Sequence, residues 1–273
     1  MTKHRMKALL VAVVLLVVRE LHPSAQPPQP GVYLEELTWM ELHDAIRSGK
    51  TTAIVPIGGT EQSGPDIALG KHNARVKVLS GMIAQGLGNA IVAPVIAYVP
   101  EGSVNPPASH MRYPGTITVP DETFEKTLEY AARSLKLAGF HNIVMLGDHG
   151  SYQQMENAVA TKLNREWAGT PVRVFACEEY YRASTEGFDQ ILKARGYSAA
   201  EIGKHAGLAD ASLQLAVASQ MVRVDRLRDG SNRSRGDGSE GDARKASAEL
   251  GQLGVNEIVR TTIAAIRKDA AQR

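Results

Sequence analysis

Phe124-Glu125-Lys126-Thr127-Leu128-Glu129-Tyr130-Ala131-Ala132-Arg133-Ser134-Leu135-Lys136-Leu137-Ala138-Gly139, followed two residues later by Asn142-Ile143-Val144-Met145-Leu146-Gly147-Asp148-His149-Gly150, decides the fold. In the first half Phe124, Leu128, Ala131, Ala132, Leu135 and Ala138 recur at helical spacing, with Asp121 opening the helix and Gly139 stopping it. The second half is a short unbroken apolar run, which reads as a strand buried on both faces. The same alternation extends both ways. Ala53 to Ile57 reads as a strand ending in Gly58-Gly59, Val76 to Leu87 as a helix, and Ala90 to Val95 as a strand. Ser151 to Trp167 reads as a helix, Val172 to Cys177 as a strand, Ala206 to Ser219 as a helix, and Leu253 to Lys268 as a final amphipathic helix. Thr38 with Glu41 three residues on is a capping box for a first helix. Strands alternating with helices predict an α/β fold, a three-layer αβα arrangement around a mostly parallel sheet.

Composition limits the function classes. The 273 residues carry a formal net charge of +2, so there is no basic stripe for nucleic acid and no acidic tail. The lone Cys177 has no partner for an internal disulfide and reads as a buried structural thiol. The N-terminus departs from the rest: Lys3, Arg5 and Lys7 precede the apolar run Ala8 to Val18. That run is shorter than the roughly 20 residues a spanning helix needs, and it fits the apolar region of a secretory signal. The expectation is a signal peptide over 1–25, a Pro-rich linker over 26–33 and one domain over 34–273. The mature chain would be periplasmic or secreted, without stable membrane insertion. An uncleaved anchor or a buried N-terminal helix is the other reading of the same residues.

Three polar clusters fall where functional groups gather in open parallel sheets, beyond the carboxyl ends of strands. Gly58 to Asn73 is rich in glycine and holds Glu61, Ser63, Asp66 and His72. Carboxylates and imidazoles together suit zinc, manganese or iron, although the same residues equally suit turn and helix capping. Gly147-Asp148-His149-Gly150-Ser151-Tyr152 sets a histidine between glycines at a strand end, where the backbone can turn sharply and approach a ligand. His205-Ala206-Gly207-Leu208-Ala209-Asp210 places a histidine and an acid around a helix start. The segment Asp229 to Lys245, rich in Gly, Ser and charge, reads as a loop.

Together these clusters resemble the creatininase family. The family's strand and Gly-x-x-Glu-x-His-Gly-Pro segment is similar to Gly58 to His72, with Glu61, Gly64, Pro65, Leu69 and Gly70 in register. Its His-x-x-aromatic-Pro-Gly-Thr segment is similar to His110 to Thr116, and its Gly-His-Gly segment to Gly147 to Tyr152. Its His-Ala-Gly and Gly-Asp-x-Arg segments match His205 to Ser212 and Gly241 to Ala246. Two departures fall on residues that bind metal in the family: Ser63 replaces a histidine, and His72 replaces the acid that bridges two ions. Asp66 stands where the family has a second histidine, and Asp210 replaces a glutamate. A neutral imidazole offers one lone pair and cannot bridge two cations.

The resemblance implies a metal-dependent amidohydrolase that cleaves a C–N bond other than a peptide bond in a small, cyclic or linear amide. Glu61, His72 and His149 would hold a divalent cation, zinc first and manganese or iron next, one or two per chain, with Asp210 and Asp148 as further candidates. His205 would shuttle the proton and His110 would assist, and Asp66, Ser63 and Tyr152 would face the substrate. A homo-oligomer, hexameric by the resemblance, is expected. The competing reading is an exported homologue that binds a small molecule or metal without turnover. A phosphoesterase is disfavoured, because the chain has neither a dense Asp/His dimetal signature nor a Gly-rich phosphate loop.

Overall fold

The computed structural model describes residues 31–230, 234 and 236–272. The expected signal peptide and most of the expected linker lie outside the described residues. Val32 and Tyr33 are buried, and Val92 donates its N–H to the Val32 carbonyl, so the domain reaches back to Val32.

Four parallel strands form the sheet: β1 (Thr52–Ile57), β2 (Ala90–Val92), β3 (Asn142–Gly147) and β4 (Arg173–Ala176), in the order β2-β1-β3-β4. Each was legible as an apolar run, although β2 stops at Val92 rather than Val95. Side chains alternate between the two faces as the period of two requires. Ile54, Val144 and Leu146 join one apolar cluster, and Ala53, Val55, Ile57, Ile143 and Met145 join the other. Pro56 sits in a central strand, where a missing N–H normally breaks a ladder. It is tolerated because its polar edge faces β2 beyond the end of that strand, where its carbonyl accepts from Ile96.

The helices are α1 (Trp39–Arg47), α2 (Lys71–Leu87), α3 (Asp121–Ala138), α4 (Gln153–Glu166), α5 (Glu178–Arg182), α6 (Phe188–Lys193), α7 (Ala199–Ile202), α8 (Leu208–Ala218), α9 (Val224–Asp229) and α10 (Ala248–Ala271). The predicted capping box of α1 is present in full. A π-helical stretch, Ala183–Gly187, joins α5 to α6. One face of the sheet packs on α2, α8 and α10, the other on α3 and α4. These are the three layers expected. Among the described residues no helix is long and apolar enough to cross a membrane.

The connections fix where a site can form. The chain leaves β1 through α2 on one face and β2 through α3 on the other, so the carboxyl ends of the neighbours β1 and β3 open onto a crevice. Glu61 follows β1, and Asp148 and His149 follow β3.

Candidate active site

Glu61 is the hub of this crevice. It has no solvent exposure, and its Oε1 lies 2.9 Å from His72 Nε2, 3.7 Å from Lys71 Nζ and 3.7 Å from His205 Nδ1. Its Oε2 lies 3.1 Å from His110 Nε2 and 3.5 Å from His149 Nε2 and has no hydrogen-bond partner. Two donor groups that could hold a metal ion therefore share one carboxylate: Glu61 with His72 and His149, and Glu61 with His110 and His205. Burial alone would raise the Glu61 carboxyl, but the His72 ring bonded to it and the charges of His72 and Lys71 hold it well below the usual carboxylate range.

The first turn of α2 carries three of the side chains. His72 Nδ1 is 2.6 Å from Asp148 Oδ2. Arg75 donates from Nε to the same oxygen at 2.9 Å and from Nη1 to Asp210 Oδ1 at 2.8 Å. Lys71 donates to Asp210 Oδ2 at 2.6 Å. Tyr180 of α5 donates to Asp148 Oδ1 at 2.6 Å. Lys71 and Arg75 are 1% and 4% exposed, so two permanent cations are buried against three carboxylates. Such charges are retained inside a protein only when paired.

One residue, Gln62, sets the tautomers of two histidines, one through its side-chain amide and the other through its main-chain carbonyl. Gln62 Oε1 accepts from the Gly64 N–H, which fixes the orientation of the amide. The two hydrogens on its nitrogen go to the Gly238 carbonyl at 3.0 Å and to His110 Nδ1 at 2.9 Å. His110 therefore turns an Nε2–H toward Glu61. His205 donates from Nε2 to the Gln62 carbonyl at 2.9 Å, which leaves a lone pair on Nδ1 facing Glu61. Burial and the Lys71 charge push His205 down to about 4, so its ring is neutral. His149 is pushed down to about 3 by burial and the neighbouring His72. For His72, burial and Lys71 act downward, but the hydrogen bonds to Asp148 and Glu61 prevail and raise it.

A cavity of about 260 Å³ opens onto these groups, lined by Lys71, His72, His149, His205 and Asp210 together with Tyr181 and Lys204. A larger groove of about 730 Å³ between α3 and α4 holds Glu122, Glu129 and Lys162 without any of these donors, so volume does not pick the site. Gly203 and Gly241 bring the remaining wall together. A Cβ on Gly203, which has φ +70°, would lie 1.9 Å from the Glu240 carbonyl. Within the segment read as a loop, Glu240 and Gly241 thus pack on the His205 segment, with Glu240 N–H donating to the His205 carbonyl at 2.7 Å.

The sequence pattern of the Creatininase family, described as creatinine amidohydrolase, matches residues 35–266. The chain belongs to the creatininase family. Creatinine amidohydrolase of Pseudomonas putida is 23% identical over 261 residues, 88% of this chain and 97% of that protein. The 3-dehydro-scyllo-inosose hydrolase of Thermotoga maritima is 26% identical over 121 residues, 44% of this chain and 36% of that protein. A solved creatininase superposes with a TM-score of 0.72 at 22% identity, covering 88% of this chain and 98% of the other. Creatininase structures include a manganese form and a mutant of Zn–Zn type, with TM-scores of 0.71 and 0.70. The curated relatives are hydrolases, as the resemblance implied.

Within this creatininase-family site the residues singled out from sequence fall into three sets. Glu61, His72, His149, His110 and His205 converge. Asp148 and Asp210 also line the cavity, but their oxygens are taken by Arg75, Tyr180, His72, Lys71 and the Ala206 N–H. The others do not face the cavity. Tyr152 is fully buried and donates to the Ile57 and Gly58 carbonyls. Ser63 is 1% exposed with its hydroxyl unpartnered, and Asp66 lies 3.6 Å from Arg226 Nε. Reading the motifs missed Lys71, Arg75, Gln62, Tyr180 and Glu101. Lys71 and Arg75 flank His72 at helical spacing and were legible as a charged first turn. Glu101 gave no cue. It is 3% exposed, and burial and the Glu61 charge push it up to about 9.

The donor set fits a divalent cation at Glu61, His72 and His149. Glu61 Oε2 is a buried carboxylate oxygen without a partner, and His149 is neutral. His149 Nδ1 accepts from the Ser151 N–H, so binding a cation through Nε2 would require the ring proton to leave that nitrogen. His72 is backed through Nδ1 by a carboxylate, the arrangement that orients metal-ligating imidazoles.

Proposed function

We propose that this chain is a metal-dependent amidohydrolase acting on the C–N amide bond of a small polar molecule, cyclic or linear. The observation that carries the reading is the unpartnered Glu61 Oε2 facing imidazole nitrogens, with His72 backed by Asp148. Glu61, His72 and His149 would hold the cation, zinc first and manganese or iron next. When bound, such an ion supplies Lewis acidity, lowering the pKa of water and polarising a carbonyl. Holding it requires His72 to give up the Nε2 proton it shares with Glu61 while keeping Nδ1–H on Asp148.

The chain's own groups supply positioning and proton transfer. His205 Nδ1 carries a lone pair toward the cavity, so it can take the proton water loses and deliver it to the departing nitrogen. Hydroxyl then goes to the carbonyl carbon, hydrogen to the amine, and the C–N bond breaks. His110 Nε2 stands 3.1 Å from Glu61 Oε2 and assists from beside that carboxylate. The cavity of about 260 Å³ admits only a small substrate. Export to the periplasm or medium and assembly as a homo-oligomer belong to the same proposal.

A second reading draws on the charge count. The carboxylates of Glu61, Asp148 and Asp210 are balanced by Lys71, Arg75 and a doubly bonded His72 without any metal, which suits a non-catalytic small-molecule binder. Elemental mass spectrometry of the parent and of His149→Ala after zinc loading separates the two. Bound metal in the parent, lost in the variant, together with turnover on a panel of small amides, supports the hydrolase. An inability of the parent to retain zinc or manganese would overturn it in favour of the binder.

A further inference from the structure

We infer that the cavity selects a small zwitterionic amide, its protonated amine bound by Asp189 and its carboxylate by Lys204. This rests on the hydrolase reading above, of which it names the substrate class.

Most polar groups that line the cavity are spent on one another. Lys71 and Arg75 are paired with Asp210 and Asp148. Ser184 and Thr185 both donate to the Tyr181 carbonyl, at 2.8 Å and 2.9 Å. These two belong to the π-helical stretch Ala183–Gly187, a widened turn of a kind frequent at functional sites. The chain around that turn forms one wall of the cavity, with Tyr181 before it and Asp189 after it.

Two full charges are left over. The Asp189 carboxylate is half-buried, and among the described residues no hydrogen bond or ion pair holds it. Lys193, one turn further along α6, acts on it only through its charge. Burial pushes the Asp189 carboxyl up from its ordinary value, and the Lys193 charge offsets part of that cost. The Lys204 ammonium is exposed and also without an ion-pair partner among the described residues. Its backbone is held in place by N–H donation to the Glu240 carbonyl at 2.8 Å. No ion pair joins Asp189 to Lys204, although both line the same cavity.

The chemistry of the ligand follows. A molecule entering the cavity takes water from Asp189, and stripping a carboxylate of water is costly unless a cation replaces it. A neutral or purely anionic amide therefore meets a penalty there, which a protonated amine removes. Lys204 is open to solvent, so its pairing with a carboxylate contributes less. A ligand that carries both charges satisfies both residues and adds no net charge to the cavity. A volume of about 260 Å³ leaves room for an amide and one amino-acid head group.

The test uses four probes that share one primary amide: L-asparagine with both charges, 3-aminopropanamide with the amine, succinamate with the carboxylate, and propanamide with neither. Binding to the zinc-loaded full chain is read by calorimetry, zinc retention by elemental mass spectrometry, and folding of the variants by thermal melts. L-asparagine should bind tightest, about tenfold or more above propanamide. Asp189→Asn should weaken L-asparagine and 3-aminopropanamide about tenfold and leave the other two unchanged. Lys204→Met should weaken L-asparagine and succinamate about three- to fivefold and leave the other two unchanged. Equal affinity for all four probes, no binding of any, or folded variants that lose all four alike would overturn the inference; with zinc retained, the hydrolase reading would stand. Charge-selective binding by a chain that cannot retain zinc would sink the hydrolase reading and leave the two-point recognition standing. If the variants fail to fold, the order of the probes on the parent decides: L-asparagine ahead supports the inference, and propanamide level with it refutes it.

Discussion

Arg75→Met removes the one side chain that ties Asp148 to Asp210. The guanidinium is 4% exposed and makes charge-assisted bonds to both acids, at 2.9 Å and 2.8 Å. Breaking a buried ion pair by deleting one partner costs about 3–5 kcal/mol, because the remaining charge stays buried. Here each acid keeps other donors: Asp148 keeps His72 and Tyr180, and Asp210 keeps Lys71 and the Ala206 N–H. The loss therefore belongs at the low end, about 3 kcal/mol. For a domain of this size that corresponds to a fall in Tm of roughly 6–12 °C. The assay is urea denaturation of parent and variant, each stripped of metal by chelation and again with zinc. Arg75→Lys should fall between them, since one ammonium cannot span two carboxylates as a guanidinium does. A double-mutant cycle with Asp210→Asn should return a coupling of about 1–3 kcal/mol. A metal-free loss below about 1 kcal/mol would refute the argument, because it would mean that water already neutralises the cluster.

Three further outcomes are expected. Tyr180→Phe removes the 2.6 Å bond to Asp148 Oδ1 and should cost about 1.5–3 kcal/mol of stability. It should also weaken zinc binding about 10–100-fold by loosening the support of His72, and an unchanged calorimetric affinity would contradict that support. Glu156 is pushed well above its ordinary value by burial and then by the Glu178 charge. The folded state therefore holds its proton more tightly than the unfolded chain, and stability falls as pH climbs above the unfolded value near about 4.3. Glu156→Gln removes this slope, so melts of both proteins at pH 5 and pH 8 should show the variant gaining on the parent at the higher pH; a constant difference argues against it. Gly251→Ala places a Cβ 1.9 Å from the Ser212 carbonyl and should cost about 1–3 kcal/mol in chemical denaturation by forcing α10 away from α8.

The sheet was readable from sequence because parallel strands buried on both faces leave unbroken apolar runs, as Ile143 to Leu146 does. Helix ends were less readable. α2 begins at Lys71 rather than Val76 because its first turn is charged, and those charges are neutralised by residues far along the chain. The convergence of Glu61, His72 and His149 followed from motif order and strand ends. The second layer was not legible: nothing near Tyr180 or Gln62 announces that they meet Asp148 or His110, since those contacts exist only once the layers pack. Tyr152 and Asp66 show the converse, motif positions whose side chains serve the surrounding fold.

The first turn of α2 also has a bearing on the order in which the domain assembles. Its N-cap is Gly70, with no side-chain cap and no acid in the turn, while Lys71, His72 and Arg75 stand at the positive end of the helix dipole. Left alone, that turn is unfavourable. Its compensation comes from Asp148, 76 residues past His72, and from Asp210, 139 residues past Lys71. Closing such distances is slow relative to local helix growth. The α2 helix can grow from its middle early, whereas the end that carries the chemistry must wait until β3 and α8 have docked. Pulse-labelled amides of residues 71–75 should therefore gain protection last, making a finished active site a signal that the whole chain has folded.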